Sequence, residues 1–317
     1  MKKIIMLLIF LSMSVALFSK GNLYAIFVID NEVTNVDCSE SLFDWQDRMN
    51  VIYHYTGMKT QERVFAVGLS GATEEWSRDI VLAAVEDVTP DEQDTVLFFF
   101  AGQSAKTSAV QEDISDKKKS RYPEMLLQHA TTLQLEEVAG VLAAKRPGLA
   151  LVFADFYDNA RAESSEEKSV PRANRAVVYG NYRKLFNDKR HAAILAASCS
   201  AGKEGENGIF TKRFFQVLDE CTALTNVTWK DLLEKISEPA GVLRNKACWE
   251  IRAQKDFTQD IGVTTQKIDL PQWTPLWDDS WYDDREWYDD GGWNGEIYEN
   301  DEEYYAEDEI LTGEDDE

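Results

Sequence analysis

"DTVLFFFAGQSA", Asp94 to Ala105, holds six unbroken apolar residues, Val96 to Ala101, and then breaks at Gly102-Gln103-Ser104. An apolar run without polar alternation suits a strand covered on both faces, as strands of parallel sheets are. Four more runs of this kind stand at Leu23–Asp30 (LYAIFVID), Arg63–Leu69 (RVFAVGL), Gly148–Phe156 (GLALVFADF) and His191–Cys199 (HAAILAASC). Helical patterns fall between them. Trp76, Ile80, Ala84 and Val88 recur at helical spacing after Thr73, and Leu135, Val138 and Leu142 follow a Thr131/Gln134 capping-box pattern and stop at Pro147-Gly148. "GIFTKRFFQVLDE" and "TWKDLLEKI" supply two more. The alternation predicts a layered α/β fold, with a mainly parallel central sheet and helices on both faces. Sites in such sheets lie beyond the carboxyl ends of strands. Here those ends are Gln103, Phe156-Tyr157-Asp158 and Cys199-Ser200.

The ends of the chain read differently from its body. Lys2 and Lys3 precede an apolar run from Ile4 to Phe18, with small residues Ser19 and Gly21 after it. This is the pattern of a secretory signal peptide over residues 1–21, and it predicts a secreted or periplasmic protein. The total formal charge is −24, and residues 271–317 hold 10 Asp and 9 Glu against one Arg, which leaves about −6 for the rest. Residues 22–268 then form the domain, and 269–317 an acidic, aromatic-rich tail predicted to be disordered. No basic stripe suits nucleic acid. The tail carries five of the nine Trp and repeats an aromatic-Asp-Asp unit in "WDDSWYDDREWYDD". High charge opposes folding, whereas dense aromatics favour contact, so the tail is expected to meet a protein or peptide partner. The four cysteines, Cys38, Cys199, Cys221 and Cys248, allow three disulfide pairings that the sequence leaves open. No Cys/His cluster has metal-ligand spacing, Asp155 and Asp158 supply only two carboxylates, and no cofactor is expected.

In this order the segments resemble the caspase/metacaspase-like cysteine peptidases. "NLYAIFVIDN" is similar to the family's first strand. "DTVLFFFAGQSA" is similar to the strand ending in its Ser-Gly-His-Gly motif, and "GLALVFADFYDNA" to the strand ending in Asp-x-Cys-x-(Ser/Ala)-Gly. "HAAILAASCSAG" followed by "NGIFTKRFFQVL" resembles the next strand and a Gly-x-Phe-Thr helix entry. The resemblance covers about residues 22–236, and it implies a caspase-like fold. Carried over by position, the histidine falls on Gln103 and the cysteine on Tyr157, while the aspartate is kept as Asp155. A thiol–imidazole pair works because the base yields an attacking thiolate. Gln103 cannot take a proton near neutral pH, and a phenol ionises only near pH 10.

The expected function is that of a secreted pseudopeptidase acting as a binding or scaffold module through its cleft or its tail. Gln103 and Tyr157 are expected at the ends of adjacent parallel strands, facing one cleft, with a bond between amide and phenol. The competing reading is an active endopeptidase in another register, or one using Cys199 as nucleophile with a histidine such as His129.

Overall fold

The computed structural model describes residues 21–31, 38–105, 120–157, 174–187, 192–205, 208–224, 226–238, 246–253, 270 and 272–275. The chain divides into two units, residues 1–278 and 279–317, and every described residue belongs to the first. Residues 1–20 of the expected signal peptide, Asp158, His191 and the chain after Pro275 lie outside the described residues.

The apolar runs form the middle of one sheet. Its strands are β1 (Asn22–Ile29), β2 (Lys59–Ala66), β3 (Thr95–Gly102), β6 (Leu149–Phe156), β7 (Ala192–Ala197), β8 (Cys248–Ala253) and β9 (Thr274–Pro275). A separate two-stranded ribbon pairs β4 (Met125–Leu126) with β5 (Thr132–Leu133). The main sheet runs in the order β8-β7-β6-β3-β1-β2-β9, with β8 and β9 antiparallel to their neighbours and the others parallel. All eight residues of β3 and of β6 are buried, which explains their unbroken apolar character. Asp94 fixes the start of β3 against β1: its carboxylate accepts from the Asn22 amide at 2.6 Å and from the Asp91 amide at 2.8 Å.

Side chains leave each strand alternately for two cores. Leu97, Phe99 and Ala101 of β3 join Leu151 and Phe153 of β6 on one face. That face is covered by α1 (Ser39–Thr56), α4 (Arg175–Phe186), α5 (Ile209–Thr222) and α6 (Trp229–Ile236). Trp45 of α1 is its hub, with ring centroids 5.5 Å from Phe99, 5.4 Å from Phe214 and 4.8 Å from Phe215. On the other face, Val96, Phe98 and Phe100 meet α2 (Arg78–Asp87), α3 (Leu135–Lys145) and the β4–β5 ribbon. The expected layered α/β fold, with a mostly parallel sheet and helices on both faces, is the fold observed.

Two helix starts lie further along than their patterns predict. Thr73 extends the pairing of β2, its amide donating to the Val64 carbonyl at 2.9 Å, so α2 begins only after Ser77. Thr131 spends its hydroxyl on the Gln128 carbonyl at 2.8 Å, and the reciprocal cap of α3 is formed by Gln134 and Glu137. Among the described residues no helix is long and apolar enough to cross a membrane.

Candidate functional site

β3 and β6 are neighbours, with Gly102 opposite Phe156. Gln103 and Tyr157 therefore leave the carboxyl ends of adjacent parallel strands, as expected, and the Tyr157 amide still donates to the Gly102 carbonyl at 2.9 Å. Gly102 is required there, because a Cβ would stand 2.7 Å from Cβ of Asp30, at the end of β1. Beyond it the chain is held by the ribbon: Leu126 donates to the Gln103 carbonyl at 3.0 Å, and Ala105 donates to the Glu124 carbonyl at 2.8 Å. Gln103 is half-buried.

Tyr157 does not make the expected bond to the Gln103 amide. Strand alternation carries its side chain into the core beneath α1, where it is 2 % exposed. Its phenol shares a hydrogen bond of 2.7 Å with the Ser41 hydroxyl, in the first turn of α1. Burial pushes the phenol pKa well up, Asp155 adds to the shift, and the Ser41 bond opposes it only in part. At this position the chain presents a protonated, packed phenol rather than a nucleophile. Gly208, with φ +63°, sits against it: a Cβ there would stand 3.0 Å from the phenol oxygen.

Asp155 lies two residues earlier on the same face and is fully buried. Its Oδ2 accepts from the Thr211 amide at 3.0 Å and from the Thr211 hydroxyl at 2.7 Å. Thr211 belongs to the first turn of α5, whose cap residue Gly208 has no side chain to offer. Asp155 therefore caps α5 from a strand, where the helix dipole favours an anion. Burial nevertheless raises its pKa to about 7 against those two bonds, and Oδ1 has no partner among the described residues. The chain after β7 crosses this end of the sheet closely enough that a Cβ on Gly205 would lie 2.2 Å from the Phe156 carbonyl oxygen.

The fallback nucleophile is elsewhere. Cys199 follows β7, is fully buried, and packs in the core on the opposite sheet face from Tyr157. Its thiol donates to the Lys203 carbonyl at 3.4 Å. His129 is exposed in the turn between β4 and β5, and His54 is bonded to Tyr179 at 3.1 Å on α1. An open cavity of about 620 Å³ is lined by Arg121, Ser200, Lys246, Cys248 and Glu250 among others. Neither Gln103 nor Tyr157 lines it. Among the described residues no three of His, Cys, Asp and Glu gather as they would around a metal ion.

No protein-family model matches the chain, and no curated protein matches it either. Ser41 and Thr211 complete the site, and only one of them left a trace in the sequence. The Gly208-Ile-Phe-Thr211 entry marks Thr211, whereas Ser41 stands in α1, a helix not among those expected from the sequence.

Proposed function

We propose that this chain is an exported caspase-like domain without peptidase activity, serving as a binding or scaffold module. The observation that carries the reading is Tyr157. The position matching the family's nucleophile holds a phenol that is buried, raised in pKa and tied to Ser41. Gln103, at the position matching the histidine, brings no base to the neighbouring strand end. Asp155 persists for a reason unrelated to catalysis, since it caps α5 through Thr211. Export rests on the charge and hydropathy pattern of residues 1–21, and a protein or peptide partner on the acidic, Trp-rich composition of the tail.

The hydrolase reading needs a reachable thiol, and Cys199 is fully buried on the far face. The test is direct. Purified protein is expected to give no turnover of fluorogenic peptides bearing Lys, Arg or Asp before the cleaved bond, with or without calcium. Iodoacetamide is expected to leave Cys199 unlabelled in the folded chain. Turnover that disappears on Cys199→Ala would overturn the reading.

A further inference from the structure

The carboxyl-terminal end of α1 and the outer face of α4 carry a ledge of aromatic rings that the site at β3 and β6 does not use. Tyr55 stacks on Tyr182 with centroids 4.7 Å apart and meets Tyr179 edge-on at 4.8 Å. His54 Nε2 lies 3.1 Å from the Tyr179 hydroxyl. Beneath the stack, the Tyr182 phenol accepts from Arg48 at 2.8 Å, and Arg48 is itself paired with the buried Asp219. The rings are therefore held in place from below.

Cations flank them. Arg175, Tyr179 and Arg183 stand at successive fourth positions of α4, with the two guanidinium carbons 5.6 Å and 6.0 Å from the Tyr179 centroid. Arg175, Arg183, Lys184 and His54 are exposed. Burial and the Arg175 charge both push the His54 pKa down, as a positive local field requires. Among the described residues no carboxylate forms an ion pair with Arg183, whose Nε donates instead to the Tyr55 carbonyl at 3.4 Å. On a chain whose residues 1–270 carry a formal charge of about −6, this ledge is set apart by both sign and chemistry.

We propose that the ledge binds an acidic, aromatic-bearing peptide segment of a partner protein, with a carboxylate on Arg183 and a ring on Tyr179 and Tyr55. Guanidinium forks match carboxylates in geometry, and the faces of tyrosines accept both rings and cations. Rings already fixed by Arg48 and Tyr182 lose little freedom on binding. Nucleic acid fits poorly, because a phosphate backbone is held by an extended basic stripe and the ledge offers only a few cations. The inference stands whether or not the end of β6 is a lost peptidase site.

The test is fluorescence anisotropy of a dye-labelled peptide, Asp-Asp-Trp-Tyr-Asp-Asp, titrated with the full chain. Its neutral counterpart, Asn-Asn-Trp-Tyr-Asn-Asn, is titrated in parallel. The acidic peptide is expected to bind, to weaken as salt rises, and to lose about five-fold or more in affinity with Arg183→Ala, on the order of one exposed ion pair. Tyr179→Ala is expected to weaken it as well, and both variants to keep the wild-type circular dichroism. Equal binding of the two peptides, no binding at millimolar protein, or an Arg183→Ala variant of unchanged affinity would each overturn the proposal. So would self-association of the chain that Arg183→Glu abolishes, since the occupant would then be a second copy.

Discussion

Asp155 and Tyr157 share one face at the end of β6, and burial acts on both in the same direction. The Asp155 carboxyl ionises near pH 3.9 in an unfolded chain and at about 7 in the folded one. The folded state therefore holds the proton more tightly. The stability from this group is complete below about pH 4 and is lost as pH rises through about 7. Tyr157 faces it and stays protonated throughout that window, and Thr211 does not titrate. Asp155→Asn removes the titration while keeping an acceptor for Thr211. Urea denaturation between pH 4 and 8 is expected to find wild-type stability falling relative to Asp155→Asn by roughly 2–4 kcal/mol. Parallel pH curves for the two proteins would show that the carboxyl is not raised. That Gln103 and Tyr157 follow strand ends was legible, because both apolar runs end abruptly, whereas the adjacency of the two strands was expected only from the resemblance in segment order. Their missing bond was not legible: it depends on Ser41, at the start of a helix distant in sequence, standing where it takes the phenol.

Among the elements, the most apolar were the easiest to read. β1, β3, β6 and β7 announce themselves as buried runs, whereas β2 was expected at Arg63–Leu69 and lies at Lys59–Ala66. Its first five residues are polar because they are used: Glu62 accepts from Gln46 at 2.9 Å, and Arg63 donates to Asp87 at 2.5 Å. α1 went unread although Leu42, Trp45, Met49 and Ile52 follow helical spacing, because Arg48 breaks the apolar stripe and Phe43 lies exposed on the other side. Arg48 is buried as a charge. Burial alone would lower its pKa, but Tyr182 and Asp219 outweigh that and hold it well above the usual arginine value. Removing either partner leaves the other charge stranded, so Arg48→Met or Asp219→Leu alone is expected to cost about 3–5 kcal/mol. The double variant is expected to recover most of the loss, because a packed apolar pair replaces a desolvated ionic one. Additive losses in chemical denaturation would mean that the two residues do not act as a pair.

For the molecule as a whole, the edge of the sheet at β2 is the place where composition and structure part company. By composition, residues 269–317 read as one acidic tail, yet Leu270 and Trp273 pack against the core and Thr274–Pro275 pair with Glu62 and Gln61. Trp273 is the latch: its ring lies 5.3 Å from Tyr24, edge-on, and the Arg63 guanidinium carbon is 4.2 Å from its centroid. A sheet edge offers unpaired backbone groups to any strand that passes. β9 covers part of that edge, and Pro275, which has no N–H, makes a poor template for a further strand. The aromatic contact and the cation–π contact together are worth on the order of 1–2 kcal/mol, enough to keep so short a strand in place. Trp273→Ala is therefore expected to release β9 while the buried strands keep their pairing. Amide exchange should quicken across Lys59–Ala66 and stay unchanged across Leu149–Phe156. The uncovered edge should also make the protein associate as its concentration rises. Exchange across Lys59–Ala66 at the wild-type rate would mean that the edge does not depend on this latch.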